Sequence, residues 1–303
     1  MRLSDYDGKY FSVVRDGSFE VLELVRKRIG RPFLGYAQAD SFLRAACDNP
    51  DVSCIICPEK LSVSERLLKS GKGIAVSERS DMAFISLHNY LAQTSEEYNF
   101  ERFETQIGKG CRIHPMASIA DRGVKIGDNV IIEEFAVIRE GCEIGDNSII
   151  HAGAILGVEH YNLCWDDDGC IFKMQEAGKI CIGDNVEVGS YATIGRATFP
   201  HGTTVVGKNT CIDNLAVISH NCQVGSNCLI AKSHICGSAI LEDGVRVNPM
   251  ATIKNSVTIG KDAVISLGAV VVSNVPEGSK FSGNFAVEHS KFMLDHLRKL
   301  RNK

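Results

Sequence analysis

The sequence predicts a mainly β protein whose body is a parallel β-helix, with a small α/β domain before it and a short helix after it. Three observations carry this. From Ile107 onward an aliphatic residue recurs every sixth position, and a hexapeptide period is a signature of parallel β-helices. The fifth residue of each unit is small or β-branched, as in Val130, Ala136, Cys142, Ala154, Ala192, Thr198, Thr204, Ala216, Cys222 and Cys228. A narrow prism needs that pairing, because one large and one small side chain must share each interior face at close-packed density. Residues 1–102 lack the period and alternate strand-like with helix-like runs, the pattern of an α/β domain.

The unit openers run Ile107, Ile113 and Ile119, then after one extra residue Ile126 through Leu156. They resume at Ile182, Val188, Ile194, Pro200 and Val206 and continue to Cys236; one residue is then lost, and Leu241 through Val271 follow. With three units per coil, the repeat builds about eight coils, each needing its neighbours to bury its face. Cys111, Cys142, Cys222 and Cys228 fall on the small interior position and read as small core hydrophobes. Residues 157–178 break the repeat and contain the one tryptophan, Trp165, beside three aspartates. A loop thrown out of a solenoid belongs most often to its binding face. In the first domain KYFSVV, RPFLGYA, VSCIICP and GIAVS read as strands, and FEVLELVRKRI, QADSFLRAAC, SVSERLLKSG and DMAFISLHNYLAQ as helices. The division expected is 1–102 for an α/β nucleotide-recognition-like domain, 103–285 for the β-helix and 286–303 for a C-terminal amphipathic helix presenting Phe292, Leu294, Leu297 and Leu300.

Composition narrows the classes of function. The chain has 303 residues, 44% hydrophobic and 23% charged, with a formal net charge of -4. That balance gives no electrostatic footprint for nucleic acid. No apolar run is long enough to span a bilayer, and MRLSDYDGKYF lacks the basic and apolar regions of a signal peptide. The twelve cysteines are expected to be reduced thiols in a cytoplasmic protein.

Among nine histidines, His220 in VISHNCQVG stands at the third place of its unit, which points out of the prism. A neutral imidazole there suits removal of a proton near pH 7. His234 falls on the small interior place and is expected to be a satisfied core histidine. His114, His151, His160 and His201 carry no further signal. The histidines lack the close spacing of a zinc site, so no metal is expected. Nothing resembles a GxSxG elbow, so no covalent acyl-enzyme is expected.

The layout, together with KICIGDNVEVGSYATIGRAT, CIDNLAVISHNCQVG and the closing CGS, resembles the UDP-3-O-acylglucosamine N-acyltransferases. The resemblance implies that the β-helix is left-handed and that the chain forms a homotrimer with sites between subunits. It implies transfer of an acyl group from acyl-CoA or acyl carrier protein to the amine of a nucleotide-linked amino sugar. His220 falls on the family's catalytic base. Asp213 and Asn214 fall on its acidic and amide positions near that base, as substrate-binding residues, and Arg196 on an arginine of the preceding coil. Gly237 and Lys254 are candidates to line the donor's pantetheine arm. Three features depart from the family. Ser256, in KNS, stands where the family has a second histidine. Phe33 of the uracil clamp is kept, but Tyr36 and Ala39 replace its Asn and second aromatic. The C-terminal helix is short, and Phe285 replaces a turn proline. These departures move the expected acceptor from lipid A precursors to another uridine- or thymidine-diphosphate amino sugar of a surface glycan. An O-acetyltransferase of the same fold and a non-catalytic trimeric module stay open as alternatives.

Overall fold

The computed structural model describes residues 1–283 and 286–301; Phe285 and the side chains of Phe292 and Leu300 lie outside the described residues. From Gln106 to Phe281 the chain winds a left-handed parallel β-helix whose three walls are sheets of nine, eight and eight strands. Each rung is a strand of two to four residues paired in parallel register with the coils above and below, as in Ile131↔Ile149 and Ile132↔Ile150. The expected inward residues fill the prism: Ile126 through Leu156 and Ile182, Val188 and Ile194 are essentially unexposed, alternating with Val130, Ala136, Cys142, Ala154 and Ala192. Each buried aliphatic contributes about 1.5–3 kcal/mol. Interior hydroxyls are satisfied by the chain itself, as where Ser148 Oγ donates to Gly183 O at 3.0 Å and Thr210 Oγ1 to Gly225 O at 3.0 Å.

The three corners use different chemistry. One is turned by Asn129, Asn147, Asn185, Asn209 and Asn227, all at φ between 55 and 57°, where Asn is tolerated better than other non-glycine residues. Their amides ladder upward, Asn185 to Asn209 and Asn209 to Asn227 at 3.2 Å. The next corner is turned by Phe135, Tyr191, Leu215 and Met250, at φ between 57 and 63° and half exposed or more. The third corner carries His220.

Two details of the repeat differ from the sequence reading. Pro200 opens no wall strand. The strand Thr193–Gly195 is followed by a second excursion, and the wall resumes at Thr203–Val206. Because that excursion adds the length of one whole unit to its coil, so that Val206 stacks on Ile182, the six-residue spacing passes through it undisturbed. Likewise the lost residue lies before Ile235, not after Cys236. The strand is His234–Ile235, Ile235 faces in with no exposure, and Ser233 takes the small interior place. His234 therefore points out and is exposed, not a core residue.

The N-terminal unit holds β1 (Ser12–Arg15), β2 (Val21–Leu22), β3 (Phe33–Tyr36), β4 (Val52–Cys57) and β5 (Gly73–Val76), with α1 (Asp40–Asp48), α2 (Glu59–Ser62), α3 (Glu65–Lys69) and α4 (Ser80–Thr94). The sheet order is β1-β5-β4-β3-β2, with β1 antiparallel and the others parallel. The stretch FEVLELVRKRI, read as a helix, forms the edge strand β2 and turns. Its apolar Phe19 and Val21 alternate into the core, and Glu23 folds back to accept Leu24 N–H at 2.6 Å. Cys54 and Cys57 stand within β4 with two residues between them, but both are free, unexposed thiols pushed up to about 11 by burial. They read as packing residues. The C-terminal helix α5 (His289–Arg301) follows the β-helix. Among the described residues no helix is long and apolar enough to cross a membrane.

Candidate active site

Both excursions leave the prism at the corner of His220, in the coils directly beneath it, and both dock on the N-terminal unit. The first forms a hairpin of Asn162–Trp165 against Ile171–Met174. Its Met174 and Ala177, with Phe199 of the second excursion, lie in the same apolar cluster as α4 and the N-terminal sheet. Polar contacts fix the docking. Gln175 N–H donates to Asn89 Oδ1 at 2.8 Å, and Asn89 Nδ2 to Lys173 O at 2.9 Å. Unexposed His88 bridges Gln175 O at 2.7 Å and the Tyr98 hydroxyl at 2.8 Å. Burial pushes this imidazole down to about 4, so it is neutral: Nε2–H donates to the carbonyl and Nδ1 accepts from Tyr98. Arg79 reaches Asp167 and Trp165 O.

His220 is set by its neighbours on two sides. A Cβ at Gly237, one coil above, would collide with Nε2, Cε1 and Cδ2 of the ring. Gly237 is thus the shelf on which the imidazole lies. On the other side Nδ1 is 3.0 Å from Asn221 Oδ1. That oxygen also accepts Thr198 N–H at 3.0 Å and Thr198 Oγ1–H at 2.8 Å. A backbone N–H only donates, so the atom facing it is the amide oxygen, and Nδ1 must then carry the ring proton. Nε2 is left with its lone pair, without a hydrogen bond and not enclosed. Asn221 adopts φ 60° and is pinned by its own N–H to Thr204 Oγ1 at 2.9 Å. Asn221 was not among the residues singled out from the sequence. The signal was present in the HN pair, but its partner Thr198 was read as an interior repeat residue.

The other expected residues divide. Asp213 and Asn214 sit at the apolar corner, away from His220 within one chain. Asp213 Oδ1 caps Asn214 N–H at 2.8 Å and Oδ2 accepts Lys232 N–H at 3.4 Å, while Asn214 Oδ1 accepts Ser190 N–H at 2.7 Å. Arg196, expected to touch substrate, straps the root of the first excursion through Gly157 O at 3.3 Å and Glu140 O at 2.8 Å. Phe33, expected to clamp a base, is fully buried in the N-terminal core and has no free face. Tyr36 on the same strand is half-buried and lines a cavity of about 530 Å³ with Leu24, Arg26, Phe42 and Ser256. Arg26 lies 4.6 Å over the Phe42 ring there. Ser256 belongs to the His220 corner, its N–H bonded to Gly237 O at 3.0 Å, so this cavity and the imidazole share one corner stack. Lys254 is exposed on that coil. A larger cavity, about 930 Å³, is ringed by Glu20, Arg31, Glu97, Glu101 and Lys179 and includes no residue of the His220 shelf.

Two further groups converge on the corner. His160, from the first excursion, lies against Gly195 one coil beneath His220, where a Cβ would collide with it. Its main-chain N–H donates to Glu176 Oε2 at 2.8 Å. Burial, then the His220 and His234 charges, pushes His160 down to about 4, and burial pushes the unexposed Glu176 carboxyl up to about 7. His234 Nε2 is 3.4 Å from Ser219 Oγ. Among the described residues no group of three or more His, Cys, Asp or Glu is placed to hold a metal ion.

An outward imidazole with a fixed tautomer, held on a hexapeptide prism, defines a class, and the sequence matches agree. Residues 123–157 match the bacterial transferase hexapeptide family (six repeats). The chain is a hexapeptide-repeat β-helix protein similar to the UDP-3-O-acylglucosamine N-acyltransferases. That of Anaeromyxobacter dehalogenans is 31% identical over 207 residues, 65% of this chain and 58% of the relative. That of Caulobacter is 33% identical over 135 residues, 44% of this chain and 39% of the relative. The chain thus spans less than two thirds of the length of the curated relatives it matches. A solved UDP-N-acetylglucosamine acyltransferase from Bacteroides fragilis is 26% identical, with TM-score 0.50, over 59% of this chain and 67% of that one.

Proposed function

We propose that the protein is an N-acyltransferase that moves an acyl group from acyl-CoA or acyl carrier protein to the amine of a nucleotide-linked amino sugar. The observation that carries this is the state of His220: Nδ1–H held by Asn221, and Nε2 open with its lone pair over Gly237. The amine attacks the thioester carbonyl carbon while Nε2 takes its proton. The tetrahedral intermediate then collapses, the C–S bond breaks, and the thiolate takes the proton from the imidazolium. No covalent acyl-enzyme and no metal enter this scheme. The names of the relatives support the reaction class.

The N-terminal α/β unit, residues 1–102, is the nucleotide-recognition element of this reading. Tyr36, Phe42 and Arg26 offer aromatic and cationic surface in the cavity that also touches Ser256. With Phe33 buried and Ser256 in place of the second histidine, the acceptor is a uridine- or thymidine-diphosphate amino sugar other than the lipid A precursor. Gly237 underlies the base; Lys254 is kept as a donor-side residue, Arg196 as an acceptor-side residue of the same corner, and Asp213 and Asn214 as acceptor-side residues reached across a subunit boundary. The protein is read as a cytoplasmic homotrimer. The apolar corner supports association, since Phe135, Tyr191, Leu215 and Met250 stand exposed along it, with Gly153 and Lys232 in the coils between, and exposed large apolar side chains gathered on one edge mark an interaction surface. The test is His220→Ala, assayed with UDP-glucosamine or its thymidine analogue and an acyl-CoA panel. Turnover is expected to fall at least 10²-fold with oligomer and melting temperature kept. Near-normal turnover would refute the assignment.

A further inference from the structure

Resting on the acyl-transfer reading, we infer that His160, delivered by the first excursion, is a second catalytic imidazole of the same corner: its Nε2–H donates to the thioester carbonyl oxygen as that oxygen becomes an oxyanion. Three observations place it there. Gly195 lacks the Cβ that would strike Nδ1 and Cε1 of His160, and the same Cβ would lie 3.1 Å from the His220 main-chain nitrogen. Glycine shelves in the coils below and above that of His220 thus hold one imidazole each, His160 on Gly195 and His220 on Gly237. Second, His160 Nδ1 is enclosed without a hydrogen-bond partner, whereas Nε2 is unbonded and not enclosed. A buried lone pair without a partner is tolerated more readily than a buried N–H without one. The ring proton therefore sits on Nε2 and faces outward. Third, the main chain of His160 is anchored by its N–H to Glu176 Oε2 at 2.8 Å, so an excursion that is otherwise docked by its far end is also fixed at the residue that matters.

The two rings then present opposite faces of the same chemistry, a lone pair from His220 and an N–H from His160. With the imidazole pushed down to about 4, His160 stays neutral through the working range. A neutral imidazole N–H polarises a carbonyl without giving up its proton. As the C–N bond forms, the carbonyl π pair moves to oxygen and is stabilised by the His160 hydrogen bond. When the pair returns, the C–S bond breaks and His220 protonates the thiolate. No proton is transferred by His160, and none is needed.

Two measurements test this. The first uses acetyl-CoA and UDP-glucosamine as probes. His160→Ala is expected to lower kcat by about 10²–10³-fold, the usual effect of removing one oxyanion donor, with the KM for the sugar nucleotide within about threefold of wild type. His160→Gln, which keeps an N–H donor, is expected to recover at least tenfold of that loss. An unchanged kcat in His160→Ala, or a loss in KM alone, overturns the inference. The second measurement needs no turnover: long-range ¹⁵N–¹H spectra of histidine-labelled protein at pH 7 should show His160 as the Nε2–H tautomer and His220 as the Nδ1–H tautomer. His160 found as Nδ1–H overturns the inference even if both probes are poor substrates. Full turnover in His220→Ala would instead sink the acyl-transfer reading of this corner, leaving the His160 tautomer as a separate fact.

Discussion

Replacing Glu176 with Gln should stabilise the protein, and only at higher pH. Glu176 is unexposed, and its carboxyl is held up at about 7 against an ordinary value of 4.5, first by burial and then by Glu159, with the His160 N–H, Lys173 and Arg196 pulling the other way. The folded state keeps this proton to about pH 7, whereas the unfolded chain loses it near 4.5. Between those values the folded state binds more protons, so stability falls as pH rises and levels off above 7. A shift of this size corresponds to about 3 kcal/mol. The amide that replaces the carboxyl has no proton to lose, and its oxygen can still accept the His160 N–H. Glu176→Gln should therefore melt within about a degree of wild type at pH 4.5 and about 6 °C above it at pH 8, at roughly 2 °C per kcal/mol for a chain this long. His88 and His160 titrate in the same window but are present in both proteins, so they cancel in the difference. The assay is a pair of thermal melts followed by circular dichroism at each pH. A constant offset at both pH values, or a less stable variant at pH 8, would show that the carboxyl is not held protonated.

Two other substitutions probe the corners. Gly237→Ala puts a methyl into the His220 ring, and a displacement of about 1 Å at the base is expected to cost about 10²-fold in turnover while melting changes little. Turnover near wild type would mean that the ring does not need that shelf. Tyr191→Glu places a charge in the middle of the exposed apolar corner. If that ridge is the seam between subunits, light scattering should find the chain shifted towards monomer, and an unchanged oligomer would move the seam to another face.

Much of the prism was legible because it is written twice, once in the large inward residues and once in the small ones. What escaped had the same cause as what was read. An excursion one unit long leaves the period intact, so residues 196–202 passed as a rung and Pro200 as an opener. Only the pairing of Val206 with Ile182, on the wall directly after that of Ile194, reveals the insertion. The five-residue unit was placed one step late because Cys236 is as acceptable an inward residue as Ile235 by composition. That single step turned His234 from an outward histidine into an apparent core one. In the N-terminal unit, FEVLELVRKRI has helical spacing, but pairing with β3 and the turn made by Glu23 decide for strand, a tertiary outcome that local pattern does not contain. At the site, the motif reached His220 but not His160, whose neighbourhood depends on a docked excursion.

The distribution of unsatisfied polar groups argues independently for where the site lies. Along the asparagine corner each coil hands its polar atoms to the next, and the interior Ser and Thr hydroxyls find carbonyls. Of the six enclosed side-chain atoms without hydrogen-bond partners among the described residues, three, His160 Nδ1, Glu176 Oε1 and His201 Nδ1, lie on the two excursions. Each costs about 1–3 kcal/mol relative to a satisfied group. Folding alone would favour replacing them with apolar side chains, as the repeat does elsewhere. Their place on the two excursions that leave the prism at the His220 corner, in segments that break the repeat, is the pattern left when a site is retained at the expense of stability. It also explains why the two excursions dock so firmly on α4: His88, Asn89 and the Phe199 cluster offset what the corner loses.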